Sequence, residues 1–256
     1  MSRLHLFEFE DQSWFPNVLR NYMTDFLQYL ANITKMYKPV VPMLVEALRT
    51  SGHQTIVDLG SGGGGGLVWL NSELKKSIPD LKIILTDLYP NIAAFEHTEG
   101  KAQNFQFVGT PIDARDVPKT LVGLRTQFLS LHHFKEVDAV GILQNAVDAQ
   151  APIAIFEAQE RGVSSIVAML FSPITVFLLT PMIRPFKVGR ILFTYLIPLV
   201  PLFVLWDGIV SALRTYSVLE MKALVRDVKG SEQYHWEVNR IKSGPGVILY
   251  MIGSKI

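Results

Sequence analysis

The chain has 256 residues, with 24 Lys and Arg against 23 Asp and Glu for a formal charge of +1, and no cysteine. That balance excludes a broad basic surface for nucleic acid, a disulfide framework and thiolate metal centres. Hydrophobic residues make up 49% and charged residues 18%, an apolar excess that one α/β domain of this length has to house somewhere.

Glu8, Glu10 and Asp11 stand where a secretory signal needs an unbroken apolar stretch, so a cytoplasmic protein is expected. The last residues, Ser254-Lys255-Ile256, come within one residue of the peroxisomal Ser-Lys-Leu address, but they also close a strand. From residue 11 to about 49, apolar side chains recur at three and four (Trp14, Val18, Tyr22, Phe26, Tyr29, Leu30, Ile33, then Val40, Leu44, Leu48), which predicts two or three amphipathic helices. Residues 1–52 are expected to form a helical lid. Thr55-Ile56-Val57-Asp58-Leu59 predicts a strand that runs into a glycine cluster and then a helix. Residues 82–87, 104–109, 128–131 and 153–157 predict four further strands, with a helix over 137–147 before the last. This alternation is that of βαβ units, so residues 53–161 are expected to form an α/β core with a doubly wound, mostly parallel sheet.

The rhythm then changes. Residues 236–241 and 247–253, joined by Lys242-Ser243-Gly244-Pro245-Gly246, read as an antiparallel hairpin that completes a seven-stranded sheet from residues 236–256. Between the fifth strand and this hairpin lies an apolar helical insertion, 162–235, which carries the hydrophobic excess. Residues 162–206 contain no acid, and Arg184, Lys187 and Arg190 are grouped between two apolar runs, 166–183 and 191–206. Both runs are shorter than a spanning helix and are interrupted by Pro173, Pro181, Pro198 and Pro201. Two readings stay open: a hydrophobic roof over a pocket, or a segment dipping into a bilayer surface with the three cations at anionic head groups. Residues 206–217 return to a polar helix with Asp207, Ser211 and Arg214 on one face, and Ser217-x-x-Glu220 predicts a capping box that starts the next helix.

The chemistry concentrates at Asp58-Leu59-Gly60-Ser61-Gly62-Gly63-Gly64, an Asp-x-Gly-x-Gly-x-Gly run directly after the first strand. Glycines there let the backbone turn sharply and approach a ligand, and the following helix offers free N–H groups to an anion. The same run satisfies the Gly-x-Gly-x-x-Gly of dinucleotide enzymes, so alone it does not choose the nucleotide. Asp87 ends the second strand about twenty residues further on, where an acid accepts ribose hydroxyls in either class. With Asp113 after the third strand and the terminal hairpin, the chain resembles the class I S-adenosylmethionine-dependent methyltransferases from about residue 55 to 160. The resemblance implies a Rossmann-like methyltransferase fold and S-adenosylmethionine as cofactor. It also implies that Asp58, Gly60, Ser61, Gly62 and Gly64 hold the amino-acid end, Asp87 and Leu88 the ribose, and Ile112, Asp113 and Ala114 the adenine. Each acid also has a structural reading: Asp58 as a cap of the glycine turn, Asp87 as a helix cap, Asp113 as a solvated loop acid.

Methyl transfer needs alignment above all, and a base only where the acceptor arrives protonated. His132 and His133, just past the fourth strand, are the candidate catalytic residues, with packing and a backbone hydrogen bond as the alternative. Trp14, Tyr22, Tyr37, Glu157 and Arg214 are candidates for contact with the acceptor, or else core and ion-pair residues. The six histidines and the acids show no compact ligand spacing beyond the adjacent pair, so no metal dependence, and undiminished activity in chelator, is expected. The expected partner is a small hydrophobic methyl acceptor and not nucleic acid, with a membrane surface and a homodimer as further associations to test. The competing reading is a cofactor-binding scaffold without catalysis whose insertion is a protein interface.

Overall fold

The computed structural model describes residues 2–256. Its centre is a seven-stranded sheet made of β1 (Thr55–Leu59), β2 (Lys82–Thr86), β3 (Phe105–Phe107), β4 (Leu124–Phe128), β5 (Ile153–Glu157), β6 (Tyr234–Ser243) and β7 (Gly246–Lys255). The strand order is β3-β2-β1-β4-β5-β7-β6. The first five strands are parallel, and β7 runs antiparallel to both of its neighbours. The order reverses beside β1, which places a crevice at the carboxyl ends of β1 and β4.

One strand lies elsewhere than the hydrophobic pattern predicts. The fourth strand is Leu124–Phe128, not 128–131, and its Arg125, Thr126 and Gln127 are all buried. Arg125 is hidden because its guanidinium donates to Asn145 Oδ1 at 2.7 Å, so a charged side chain sits where an apolar one would signal a strand. The apolar run that follows leaves the sheet at Leu129, whose φ of 50° is left-handed, and winds into a short 3-10 helix over Leu131–His133.

Helices cover both faces. On one side α2 (Val41–Ser51), α3 (Val68–Leu74) and α4 (Ile92–Glu99) pack over the sheet through Leu44, Leu48, Leu70, Leu74 and Phe95. On the other, α5 (Glu136–Asp148) and a later helix over Val218–Arg226 cover Val57, Ile153 and Met251. A third apolar cluster joins α1 (Asn17–Ile33) to the insertion through Phe15, Met23, Phe26, Val176, Val200 and Val204. The N-terminal helices therefore divide: α2 belongs to the sheet and α1 to the insertion.

The insertion consists of α6 (Val163–Leu170), α7 (Ser172–Leu179), α8 (Val188–Ile191) running into a π-helical turn (Leu192–Leu196), α9 (Leu199–Arg214) and α10 (Val218–Arg226). The second apolar run is split at Pro198, and its latter part, from Leu199, forms one helix with the polar segment after it, because Pro198 and Pro201 fall at and just inside the start of α9, where a missing N–H costs nothing. The capping box at Ser217 and Glu220 starts α10. Among the described residues no single helix is long and apolar enough to cross a membrane; α6 and α7 meet at a 42° bend and the α8 turn meets α9 at 77°.

Of the three cations grouped between the apolar runs, Arg190 is buried, Lys187 is half-buried, and both are paired. Arg190 is buried and donates to Asp25 Oδ2 at 2.6 Å and to the carbonyls of Ile183 and Pro185 at 2.8 Å, while Lys187 reaches the same carboxylate at 2.8 Å. Only Arg184 of the three is exposed, which removes two of the charges expected at head groups. Replacing Asp25 by Ala leaves a buried guanidinium without its counter-charge, so stability should fall by about 3 kcal/mol; denaturant unfolding of wild type and Asp25→Ala measures this.

Candidate functional site

A cavity of about 410 Å³ opens at the carboxyl ends of the parallel strands. Its floor is the turn after β1. Gly60 and Gly64 both have φ near +70°, and a Cβ at Gly64 would stand 2.3 Å from Leu85 Cδ1, so the turn is open to glycine alone there. The turn is tied to the neighbouring strand: Ser61 N–H donates to the Thr86 carbonyl at 2.9 Å and Thr86 Oγ1 to the Asp58 carbonyl at 2.7 Å. From α1, Gln28 presses on the loop where Gly63 has no side chain.

Asp58 is buried beneath this turn, its Oδ1 accepting from Thr126 Oγ1 at 2.7 Å and its Oδ2 from Ser61 Oγ at 2.6 Å. Burial pushes its carboxyl up to about 7 in spite of both hydroxyls. Asp87 Oδ2 accepts the Gly62 N–H and Oδ1 the Tyr89 N–H, each at 2.8 Å, so the acid expected at a ribose also braces the glycine loop. Burial raises its pKa as well. Asp113 borders the cavity, but Arg115 grips its carboxylate with contacts of 2.6 to 3.1 Å, and these hydrogen bonds hold its pKa below the ordinary value.

Asp58, Gly60, Ser61, Gly62, Gly64, Asp87, Leu88, Ile112, Asp113 and Ala114 all border this one cavity. Tyr37 and His133 border it too. The remaining candidates lie elsewhere. Trp14 is 66% exposed on the outer surface. Tyr22 packs against α8, where a Cβ on Gly189 would meet its hydroxyl at 2.3 Å. Glu157 is fully buried and accepts the N–H groups of Ser130 and Leu131, at 3.1 and 2.7 Å, and faces His132 Nδ1 at 2.6 Å. It holds the turn after β4 in place. His132 stands behind the cavity wall, its Nε2 against Ser211 Oγ at 3.1 Å.

Arg214 is also internal, and it exposes a group of residues that no local pattern marks. Residues 2–12 return across the sheet ends as a strap. Leu4 N–H donates to the Leu213 carbonyl at 3.1 Å, Phe9 N–H and Glu10 N–H to the Asp207 carboxylate at 2.8 and 3.1 Å, and Arg3 to the Phe134 carbonyl at 2.7 Å. Glu8 is thereby fully buried, and Glu10 and Asp11 reach the cavity. Arg214 donates to Asp11 Oδ2 at 2.6 Å, stands 3.1 Å from Glu8 Oε1, and caps the His133 carbonyl at 2.7 Å. His133 Nδ1 faces Asp11 Oδ1 at 2.8 Å and Glu8 Oε2 at 3.1 Å. Burial works against its charge, but Glu8, Asp11 and Glu10 together push the imidazole up to about 10, while burial lifts Glu10 to about 8.

No protein-family model matches the sequence, and no curated protein matches it. Solved structures do match in shape. The plantazolicin methyltransferase BpumL, in complex with a monoazolic desmethylPZN analog and SAH, aligns over 94% of this chain and 88% of its own with a TM-score of 0.54 and 14% identity. Human N-acetylserotonin methyltransferase in complex with SAM aligns over 91% of this chain with a TM-score of 0.50 and 14% identity. The fold is that of the class I methyltransferases. This chain spans about half the length of some of the proteins it matches, 56% of the human enzyme and 54% of the mitomycin 7-O-methyltransferase MmcR, which aligns over 86% of this chain at a TM-score of 0.49 and 16% identity.

The raised pKa of Asp58 has a sign that can be checked. Its folded value of about 7 lies above the ordinary 3.8, so the folded state binds more protons than the unfolded chain between pH 4 and 7, and stability is lost as pH rises through that window. Asp58→Asn should therefore gain on the wild type across pH 4 to 7 and hold that gain above it. Paired thermal melts at pH 4, 6 and 8 test this; a difference independent of pH contradicts it.

Proposed function

We propose that the protein is an S-adenosylmethionine-dependent methyltransferase acting on an oxygen, nitrogen or carbon of a small hydrophobic acceptor. The observation that carries this reading is that Asp58, the glycine turn, Asp87 and the Ile112-Asp113-Ala114 loop, brought from the ends of three neighbouring strands, border one cavity of about 410 Å³. That volume lies in the usual range for a cofactor site.

The residues fit the group. Asp58 is a buried carboxylate with no cation beside it, which an ammonium would complement. Asp87 presents its carboxylate at the rim, and Leu88 and Ile112 give apolar walls to a nucleoside. When bound, S-adenosylmethionine supplies the sulfonium methyl. The chain's own work is to align an acceptor and exclude water. Tyr37, packed edge-on against Phe128 at 4.8 Å between ring centroids, closes the cavity beneath the end of β4. Among the residues past β4, His133 is the histidine an acceptor in this cavity would meet, with Glu10 beside it at 3.6 Å; His132 acts through its neighbours.

Calorimetric titration tests this reading. The wild type should bind S-adenosylmethionine and S-adenosylhomocysteine, Asp87→Ala should lose at least about tenfold in affinity for both, and NADH and NADPH should give no heat. A preference for the nicotinamides overturns it.

A second reading, that the acceptor is a lipid or quinone-like molecule met at a membrane surface, is favoured by the outer face of the insertion. α6 buries none of its residues. Phe171, Leu178, Phe186, Val188 and Leu196 are 60 to 75% exposed within a stretch that contains no acid. An apolar surface of this kind is suited to the acyl boundary of a bilayer. With Lys187 and Arg190 paired to Asp25, binding would depend on apolar area more than on lipid charge. The protein should float with zwitterionic as well as anionic vesicles, and Phe171→Glu with Leu178→Glu should release it; absence from the floated fraction in both lipids sinks this version.

A further inference from the structure

The buried cluster behind the cavity wall contains a donor set that methyl transfer does not call for. Glu8 on the strap and His132 and His133 after β4 each offer one ligand atom, and the three atoms lie within 4.8 Å of one another. Nearest pairs include His133 Nδ1 and Glu8 Oε2 at 3.1 Å and His132 Nε2 and Glu8 Oε1 at 4.0 Å. Bonds of about 2.0 to 2.1 Å to nitrogen and oxygen in a tetrahedron put neighbouring ligands about 3.3 Å apart, so small side-chain adjustments suffice.

Two independent features point the same way. Glu8 is fully buried, and its Oε2 accepts no well-formed hydrogen bond, facing only the His133 imidazole at 3.1 Å, so a metal ion there would take the place of the imidazole proton as its counter-charge. His132 is backed on its far side by Glu157, with Nδ1 2.6 Å from Oε2. That carboxylate–imidazole pairing fixes the ring and turns Nε2 toward the cluster, the arrangement that supports metal-bound histidines. Arg214 engages Asp11 and only the Oε1 side of Glu8, which leaves the Oε2 side of Glu8 turned toward His133.

We propose that Glu8, His132 and His133 form a binding site for one divalent transition-metal cation. Two imidazoles with one carboxylate suit zinc, cobalt or iron better than magnesium or calcium, which take oxygen ligands. Because His133 also borders the cavity, the ion would sit at the wall that an acceptor touches. It would join the strap to the turn after β4 through bonds of its own. The expectation of metal independence rested on ligand spacing along the chain, and the third ligand stands 124 residues before His132. The proposal does not depend on the methyltransferase reading.

The test uses the full-length chain without a histidine tag, stripped with chelator and titrated with cobalt(II) followed by visible absorption, then with zinc(II) by calorimetry. One equivalent should bind, with ligand-field bands of a low-coordinate cobalt site and a rise in melting temperature, and Glu8→Gln should weaken binding more than about tenfold. Failure of the wild type to take up either ion overturns the proposal, as does uptake undiminished in Glu8→Gln. Should that variant not fold, X-ray absorption on the zinc-loaded wild type decides: two imidazole ligands support the site, and an oxygen-only shell refutes it.

Discussion

Arg214 is the residue on which the upper half of the molecule depends. It sits at the last turn of α9, where a cation also opposes the helix dipole, and it is 1% exposed. A guanidinium withdrawn from water must find acceptors or the fold pays several kcal/mol. Here the acceptors come from Asp11 and Glu8 on the strap and from the carbonyl of His133. Three segments, at residues 8–11, 133 and 214, are thereby drawn to one point. Asp207, seven residues earlier on α9 and on the same face, takes the N–H groups of Phe9 and Glu10, and the strap is left with little freedom.

That clasp explains how the part of the insertion from α6 to α9 can be attached to the sheet domain, when only α10 and Tyr216 pack on the sheet itself. α6 and α7 present most of their side chains outward, and the insertion's apolar packing is directed at α1 through Val176, Val200 and Val204. Polar groups do the joining: Arg190 to Asp25 on α1, Arg214 and Asp207 to the strap, Arg161 to Glu220 at 2.9 Å through both carboxylate oxygens. Directional bonds specify one seating where a greasy surface alone would allow several.

How much of this the sequence shows follows from the range of the forces involved. β1, β5, the glycine turn and the capping box at Ser217 are written in local pattern, and their boundaries agree with the structure to a residue or two. That Asp58, the glycine turn, Asp87 and Asp113 meet at one crevice is legible for the same reason, since strand ends and glycine spacing are local. β4 is obscured because its buried Arg125 and Thr126 owe their burial to partners on α5 and β1 that no window of sequence contains, and the buried Gln127 beside them is polar as well. The strap shows in the sequence only as a short segment that mixes acids with apolar residues. Its alternation of Leu4, Leu6 and Phe9 with His5, Glu8 and Glu10 hinted at a segment with one polar and one apolar side, but the partners of those acids lie more than 120 residues away. Likewise Lys187 and Arg190 look like surface cations until Asp25 is seen.

The two ends of the cavity are built differently, and this bears on what they can recognise. The end at the glycine turn is made of strand termini locked to each other by register, so Asp58, Asp87 and the turn are set by the sheet itself. The other end is made of Glu10 and Asp11 from the strap, His133 and Phe134 from the turn after β4, and Leu27 and Tyr37 from the helical region. None of these is held by a β-ladder: Glu10, Asp11 and His133 belong to the charges gathered by the strap, whereas Leu27 stands on α1 and Tyr37 packs against Phe128. Arg20, Asn21, Thr24 and Gln28 of α1 line the same cavity, so a ligand there meets several polar groups beside the apolar ones and has to pair with them or leave them buried unsatisfied. The ionic seam among them is set by His133 and Glu10 rather than by anything on the sheet.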